Sequence, residues 1–131
     1  MRSFEGTRER RAPRRYRGTT LHGDVVEGEF TTRTLVLAVK DDCLGCESVV
    51  ASSAQAFGEV ATLVVAARPS ADPAWATSAH QLLVSESLLA DLDVRWPPFY
   101  VLVVPRDERV VCEGVVFAPA QVREEIAPYL T

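Results

Sequence analysis

The sequence predicts an α/β fold: a three-layer arrangement with a central mixed β-sheet flanked by helices. Three observations carry this. Apolar, largely β-branched runs of strand length recur at Thr34–Val39, Val60–Ala67, Phe99–Val104 and Arg109–Val116. They lack polar alternation, as strands covered on both faces do. Helical signals separate the first three, and the last two form a hairpin pattern followed by a closing helix.

The elements follow in order. Residues 24–30 form a short strand or a turn. Thr34–Val39 is the first strong strand. From Leu44 to Phe57, positions 46, 49, 50, 53, 54 and 57 fall on one helical stripe, while Glu47, Ser48, Ser52 and Gln55 point away. Gly58 stands where a helix C-cap belongs. After the strand Val60–Ala67, Asp72-Pro73 reads as an N-cap followed by proline at the first helical position, which opens a short helix over 73–79. Gln81–Val84 is a weak strand, and Ser87–Asp91 a short helix. Phe99–Val104 and Arg109–Val116 are strands. Pro119 opens the last helix, with Val122, Ile126 and Leu130 on one side, and Pro128 ends it. The order is β-α-β-α-β-α-β-β-α.

A chain of 131 residues with 47% hydrophobic and 24% charged residues is one globular domain, not a disordered segment. No apolar run approaches the roughly 20 residues of a membrane-spanning helix. The basic N-terminus is not followed by an apolar stretch, so no secretory signal is expected and the expected location is cytoplasmic. The net charge of −4 hides an asymmetry. Residues 1–18 hold seven arginines against Glu5 and Glu9, whereas residues 19–131 hold seven Lys/Arg and sixteen Asp/Glu. The expected organisation is an Arg-rich arm over 1–18 and one domain over 19–131. An arm of this composition binds an anionic surface, RNA or membrane, or it lies on its own acidic domain or a neighbouring chain. The last reading is preferred, and nucleic acid is not expected as a partner.

The chemistry concentrates at Cys43-Leu44-Gly45-Cys46, directly after a strand and at the start of a helix. A strand end puts Cys43 at the edge of the sheet. A helix N-terminus supplies free N–H groups and the positive end of a dipole, both of which favour a thiolate. Two intervening residues let the sulfurs meet across one turn. Cys46 falls on the apolar stripe with Val49 and Val50. Cys43 is therefore the expected nucleophile and Cys46 the shielded, resolving cysteine. Metal binding is not expected: Cys112, His22 and His80 are the remaining ligand candidates, and none repeats a zinc spacing. Cys112 reads as a half-buried small hydrophobe near a sheet edge, and His22 and His80 as surface or loop residues. Serine-triad, phosphate-loop and dinucleotide-binding glycine patterns are absent.

A second feature is Trp96-Pro97-Pro98 at the head of the strand Phe99–Val104. Motif and proline-headed strand together resemble the thioredoxin superfamily, over about residues 20–131, with a leader similar to the TlpA-type branch. The resemblance implies a thiol–disulfide oxidoreductase that needs no cofactor beyond its redox-active disulfide. It implies a cis-proline facing the cysteines, at Trp96–Pro97 or Pro97–Pro98, and a substrate-docking role for Trp96, Pro97 and Pro98. The implied partners are a protein or small-thiol disulfide and an electron donor. The chain departs from the family pattern in three places. Asp42 stands where an aromatic residue is usual, Leu44-Gly45 replaces Gly-Pro, and Leu37 takes the position of a buried carboxylate. Lys40, Asp41 and Asp42 are the expected tuning residues. The two carboxylates oppose the helix dipole, so Cys43 is expected to be only mildly acidified and the pair to act as a reductant or carrier. The alternative is a non-catalytic binding or redox-sensing module with the same fold.

Overall fold

The computed structural model describes residues 10–130. Eight strands form one sheet: β1 (Arg10–Arg11), β2 (Arg15–Thr19), β3 (Val25–Glu29), β4 (Thr34–Val39), β5 (Ala61–Ala66), β6 (Leu82–Val84), β7 (Phe99–Val104) and β8 (Arg109–Val115). Four helices accompany them: α1 (Leu44–Ala51), α2 (Pro73–Ala76), α3 (Glu86–Asp91) and α4 (Pro119–Ile126). From β4 onward the order is the predicted β-α-β-α-β-α-β-β-α.

The sheet order is β1-β8-β7-β4-β5-β6-β2-β3. β4 is central and fully buried, parallel to β5 and antiparallel to β7. This register positions the site. β4 ends at Val39 beside the start of β7, where Ala38 pairs with Phe99. The end of one strand and the beginning of the other thus meet at one sheet edge, and the cysteine and proline motifs, far apart in the chain, meet there too.

Two apolar layers sandwich the sheet. One face packs Leu35, Leu37, Val39, Val64, Ala66, Tyr100 and Leu102 against Cys46, Val49 and Val50 of α1, Trp75 of α2, and Val122 and Ile126 of α4. The other packs Val36, Ala38, Val65, Leu83, Val101 and Val103 against Leu88 and Leu89 of α3, with Leu92, Phe30 and Ala12. Alternate residues of β4 therefore feed both layers, which is why its sequence shows no polar alternation.

Several expectations need correction. The short helix expected over 73–79 stops at Ala76, where Thr77 caps it. The helix predicted to run from Leu44 to Phe57 stops at Ala51. The Ser52 backbone is extended, its hydroxyl donates to Val49 O (2.6 Å), and that hydroxyl also contacts His80 Nε2 (2.9 Å). A serine that bonds the preceding turn and a distant ring competes with helix continuation. Phe57 still reaches the core, while Ser53 and Ala54 are exposed. His80 is likewise not a surface residue: it is buried, and its Nδ1 lies 2.8 Å from Thr62 Oγ1.

The Arg-rich stretch divides. Residues 1–9, with Arg2, Glu5, Arg8 and Glu9, lie outside the described residues. Residues 10–18 enter the sheet, so the domain boundary drawn at residue 19 falls inside β2. β1 pairs with β8, and Arg10 forms an ion pair with Glu113. Arg11 and Arg14 both reach Glu108, at 3.7 and 3.3 Å. β2 forms a hairpin with β3 and is held to β6 at Thr19–Val84. Over its described residues the arm lies on its own acidic domain, as the preferred reading of the charge pattern expected, held there by backbone pairing and by Glu108 and Glu113.

Candidate active site

Cys43 and Cys46 are joined as a disulfide, with Cα atoms 5.1 Å apart. The arrangement is built locally. β4 ends at Val39, and the chain turns through Lys40, Asp41 and Asp42. Asp42 takes the left-handed conformation (φ 53°), which Asp tolerates better than most residues. Asp41 supports the turn: its Oδ1 accepts from the Asp42 N–H (3.1 Å) and from the Ser70 hydroxyl (2.9 Å). Ser70 Oγ in turn accepts from the Asp72 N–H (3.1 Å), which ties the turn to the start of α2.

Cys43 is the N-cap of α1. Its sulfur accepts the Cys46 N–H at 3.2 Å, in the place where a serine or aspartate oxygen would serve. Cys43 is half-buried, whereas Cys46 is 1% exposed within the core layer of α1. The Lys40 N–H donates to Cys46 Sγ at 3.3 Å. Each sulfur therefore has a backbone donor. When the disulfide opens, those donors are already aimed at the thiolates.

The second half of the site is the proline loop. Pro97–Pro98 is the cis bond, one of the two positions expected. Pro98 lies over the motif: a Cβ built on Gly45 would stand 2.9 Å from Pro98 Cγ. The Pro98 carbonyl accepts the Val116 N–H (3.0 Å), which extends the β7–β8 ladder past Phe99–Val115. Trp96, next to it, is 75% exposed. Two further exposed apolar side chains border the same region: Leu44 inside the motif (86%) and Phe117 after β8 (80%).

Of the predicted residues, the structure brings together Lys40, Asp41, Asp42, Cys43, Cys46, Pro97 and Pro98. Asp41 and Asp42 are both exposed. Leu37 is fully buried in the layer that holds Cys46, so no carboxylate stands at that position behind the cysteines. Cys112 is a free, half-buried thiol on β8, away from the pair. Burial pushes its thiol up, and the Tyr100 hydroxyl lies 3.5 Å from it. Among the described residues, no group of three or more His, Cys, Asp or Glu is placed to hold a metal ion. Sequence reasoning missed Ser70, Gly45 as the seat of the proline, and Phe117. Phe117 had a signal, because the antiparallel register of β7 and β8 puts residues after Val115 opposite the proline loop.

The chain has the thioredoxin-like fold: a central mixed sheet between helices, a Cys-x-x-Cys pair at a strand–helix junction and a cis-proline against it. Solved structures share this architecture at low identity. The thioredoxin domain of a thiol–disulfide oxidoreductase from Bacteroides vulgatus superposes with a TM-score of 0.67 at 15% identity, over 98% of this chain and 100% of that one. A putative thiol:disulfide interchange protein DsbE from Chlorobium tepidum gives 0.64 at 16%, over 92% and 96%. A secreted Mycobacterium tuberculosis disulfide oxidoreductase homologous to E. coli DsbE gives 0.60 at 18%, over 86% and 95%. No protein-family model matches the chain. No curated protein matches it either.

Proposed function

We propose that this protein is a thiol–disulfide oxidoreductase that exchanges disulfides with a protein or small-thiol substrate through Cys43 and Cys46. The observation that carries the reading is the asymmetry of the pair. Cys43 is half-exposed at a helix N-terminus with a backbone donor on its sulfur, and Cys46 is buried behind it. In the reduced protein the Cys43 thiolate attacks a substrate disulfide. One substrate sulfur joins Cys43, and the other leaves as a thiolate. The Cys46 thiolate then attacks Cys43 Sγ, which re-forms the disulfide and releases the second substrate thiolate. Two electrons pass to the substrate, and a dithiol or thiol donor returns them. The sulfur pair itself carries the electrons, so the reaction calls for no dissociable cofactor.

Trp96, Pro97 and Pro98 are assigned to substrate docking, and exposed Leu44 and Phe117 extend an apolar rim around the disulfide. Large exposed apolar side chains gathered at one place mark contact surfaces. Lys40, Asp41 and Asp42 are assigned to tuning, through the donor on Cys46 and the charges beside Cys43. The test is reduction of insulin disulfides by dithiothreitol, with and without the protein. Acceleration by the chain and none by Cys43→Ser is expected. Equal rates for the two would overturn the reading.

One observation favours a second reading, a binding or redox-sensing module without turnover. Pro97 has no N–H, so the loop before the cis bond offers an extended peptide a carbonyl but no donor. In that case the disulfide would open and close against a redox buffer while insulin reduction stayed at background.

A further inference from the structure

β3 ends the sheet: β2 pairs with it on one side, and among the described residues no strand lies on the other. The hydrogen bonds of the β2–β3 hairpin fix which way each backbone group points. At one end the Thr20 N–H bonds Asp24 O (2.9 Å), and at the other the Phe30 N–H bonds Arg14 O (3.0 Å). Antiparallel ladders alternate, so the bonded pairs between these ends are Gly18–Val26 and Tyr16–Gly28. Val25, Glu27 and Glu29 therefore direct their N–H and C=O groups away from β2, at the open edge. Their side chains share one face, and all three are exposed. Val26, on the opposite face, packs against the core layer that holds Leu88.

An antiparallel strand added here exchanges backbone hydrogen bonds with Val25, Glu27 and Glu29. Its residues directly opposite these three stand beside their side chains. Along the added strand they meet Glu29, Glu27 and Val25 in that order, so the complementary pattern is basic-x-basic-x-apolar. β2 already presents part of this complement on the other side: Arg15 lies opposite Glu29, and Arg17 lies opposite Glu27 in an ion pair of 3.5 Å. The intervening side chains of the added strand project to the α3 side, where a groove of about 610 Å³ separates the hairpin from that helix. Tyr16, lying over the bare Gly28, and Leu88 line the groove. A second copy of β3 fits the edge poorly. The antiparallel register that pairs all five residues sets Glu27 against Glu27, and like charges directly opposite are unfavourable.

We propose that the open edge of β3 binds an extended segment of a partner protein with lysine or arginine at alternate positions, which adds to the sheet as a further strand. Main-chain bonds to the three outward residues hold the segment, and Glu27 and Glu29 select its charge. The groove along α3 takes the side chain between the two basic residues. The site is separate from Cys43 and Cys46. Four strand spacings of about 4.8 Å put β3 roughly 19 Å from β4, at the far side of the sheet. The inference therefore stands whether or not the disulfide turns over.

The test titrates the full chain, under NMR, with the end-blocked synthetic peptide Thr-Arg-Val-Arg-Thr-Val-Thr. Amide shifts along Val25–Glu29 and at Tyr16 are expected, with slowed hydrogen exchange at Val25, Glu27 and Glu29 in the saturated complex. Methylating the backbone nitrogens of both arginines removes donors aimed at β3 and should abolish binding. Methylating the nitrogen of the valine between them, which points away from β3, should leave binding in place. Replacing Glu27 and Glu29 together, as Glu27→Gln and Glu29→Gln, changes two exposed side chains. It should weaken the peptide about fivefold while amide signals away from β3 stay put. Three results would each overturn the proposal: no shifts in β3, equal affinity for a peptide with glutamate in place of arginine, or equal loss from methylation at either set of nitrogens. Without peptide, the Val25, Glu27 and Glu29 amides should exchange at the same rate at low and high protein concentration. Protection that grows with concentration would give the edge to a second copy and overturn the proposal as well.

Discussion

Pro98 sits directly on Gly45: a methyl group added to the glycine would come within 2.9 Å of the proline Cγ. The contact joins the two sequence motifs. Gly45 is inside a helix, where glycine is ordinarily worse than alanine by roughly 0.5–1 kcal/mol. Here the missing side chain makes room for a ring held at the head of β7.

Gly45→Ala tests that contact. Alanine improves helix propensity but collides with a pyrrolidine ring that cannot swing aside as a flexible side chain would. Overpacking of this kind costs typically about 1–3 kcal/mol, which exceeds the propensity gain. The variant is expected to lose about 1 kcal/mol of stability in urea unfolding, with insulin reduction slowed because the proline loop is displaced from the disulfide. A variant as stable and as active as the parent would show that the ring moves freely.

Asp42→Asn isolates charge from backbone. Asparagine also accepts the left-handed conformation that Asp42 adopts, so the turn is expected to survive. Removing a negative charge beside Cys43 favours its thiolate, hence the reduced protein, and makes the disulfide more oxidising. For an exposed carboxylate the effect is a few tenths of a kcal/mol, on the order of 10 mV for a two-electron couple. Equilibration with a dithiothreitol redox buffer measures it, and the difference should shrink as salt is added. A shift of the opposite sign would remove Asp42 from the tuning set.

His80 gives the fold a predicted acid sensitivity. Burial holds its imidazole below the ordinary value of 6.5, outweighing the hydrogen bond with Ser52 that acts the other way. Ser52 donates its hydroxyl proton to Val49 O, so it accepts from His80 Nε2–H, and in the neutral ring Thr62 donates to Nδ1. Above the unfolded value both states are neutral and the histidine has no effect on the pH dependence. As pH falls through 6.5, the unfolded chain takes up a proton first, and stability is lost. Urea midpoints at about pH 7.5 and 5.5 should therefore differ more in the parent than in His80→Gln, where nothing titrates at that position. Equal pH dependence in the two proteins would assign the acid response to other groups.

The parts of the molecule legible in the sequence are those governed by short-range pattern. The uninterrupted apolar runs of β4, β5 and β7 reflect burial on both faces. Cys43 and Cys46 occupy their places because a strand end, an N-cap and a one-turn spacing are local facts. What escaped depends on partners far along the chain. The early end of α1 is set by His80, which lies 28 residues beyond Ser52. The entry of Arg10 into the sheet is set by Glu113, 103 residues away. The turn before Cys43 is tied by Ser70, which no spacing rule connects to Asp41. The register of β7 and β8 carries a bulge, with Leu102 opposite Cys112 and Val103 opposite Val110, so counting along the hairpin misses by one.

On the regular side of that bulge Cys112 lies beside Tyr100 and Glu125, and the cluster bears on reactivity. The buried Tyr100 hydroxyl donates to Glu125 Oε1 at 2.5 Å, and desolvation together with that carboxylate pushes the phenol far above its usual range. Cys112 Sγ lies 3.5 Å from the same hydroxyl. Burial raises its thiol first, and the nearby carboxylates of Glu125 and Glu113 add to that. Alkylation needs the thiolate, so a raised thiol reacts slowly near neutral pH. With Cys43 and Cys46 joined, Cys112 is the one free thiol in the chain. Iodoacetamide should therefore label the native oxidised protein several-fold more slowly than a small free thiol at about pH 8, with the rate still climbing above pH 9. Tyr100→Phe removes the oxygen that accepts the Cys112 S–H and loosens the packing over the thiol, so the variant should label faster than the parent at each pH. Equal or slower labelling would show that Tyr100 neither holds the thiol proton nor shields it.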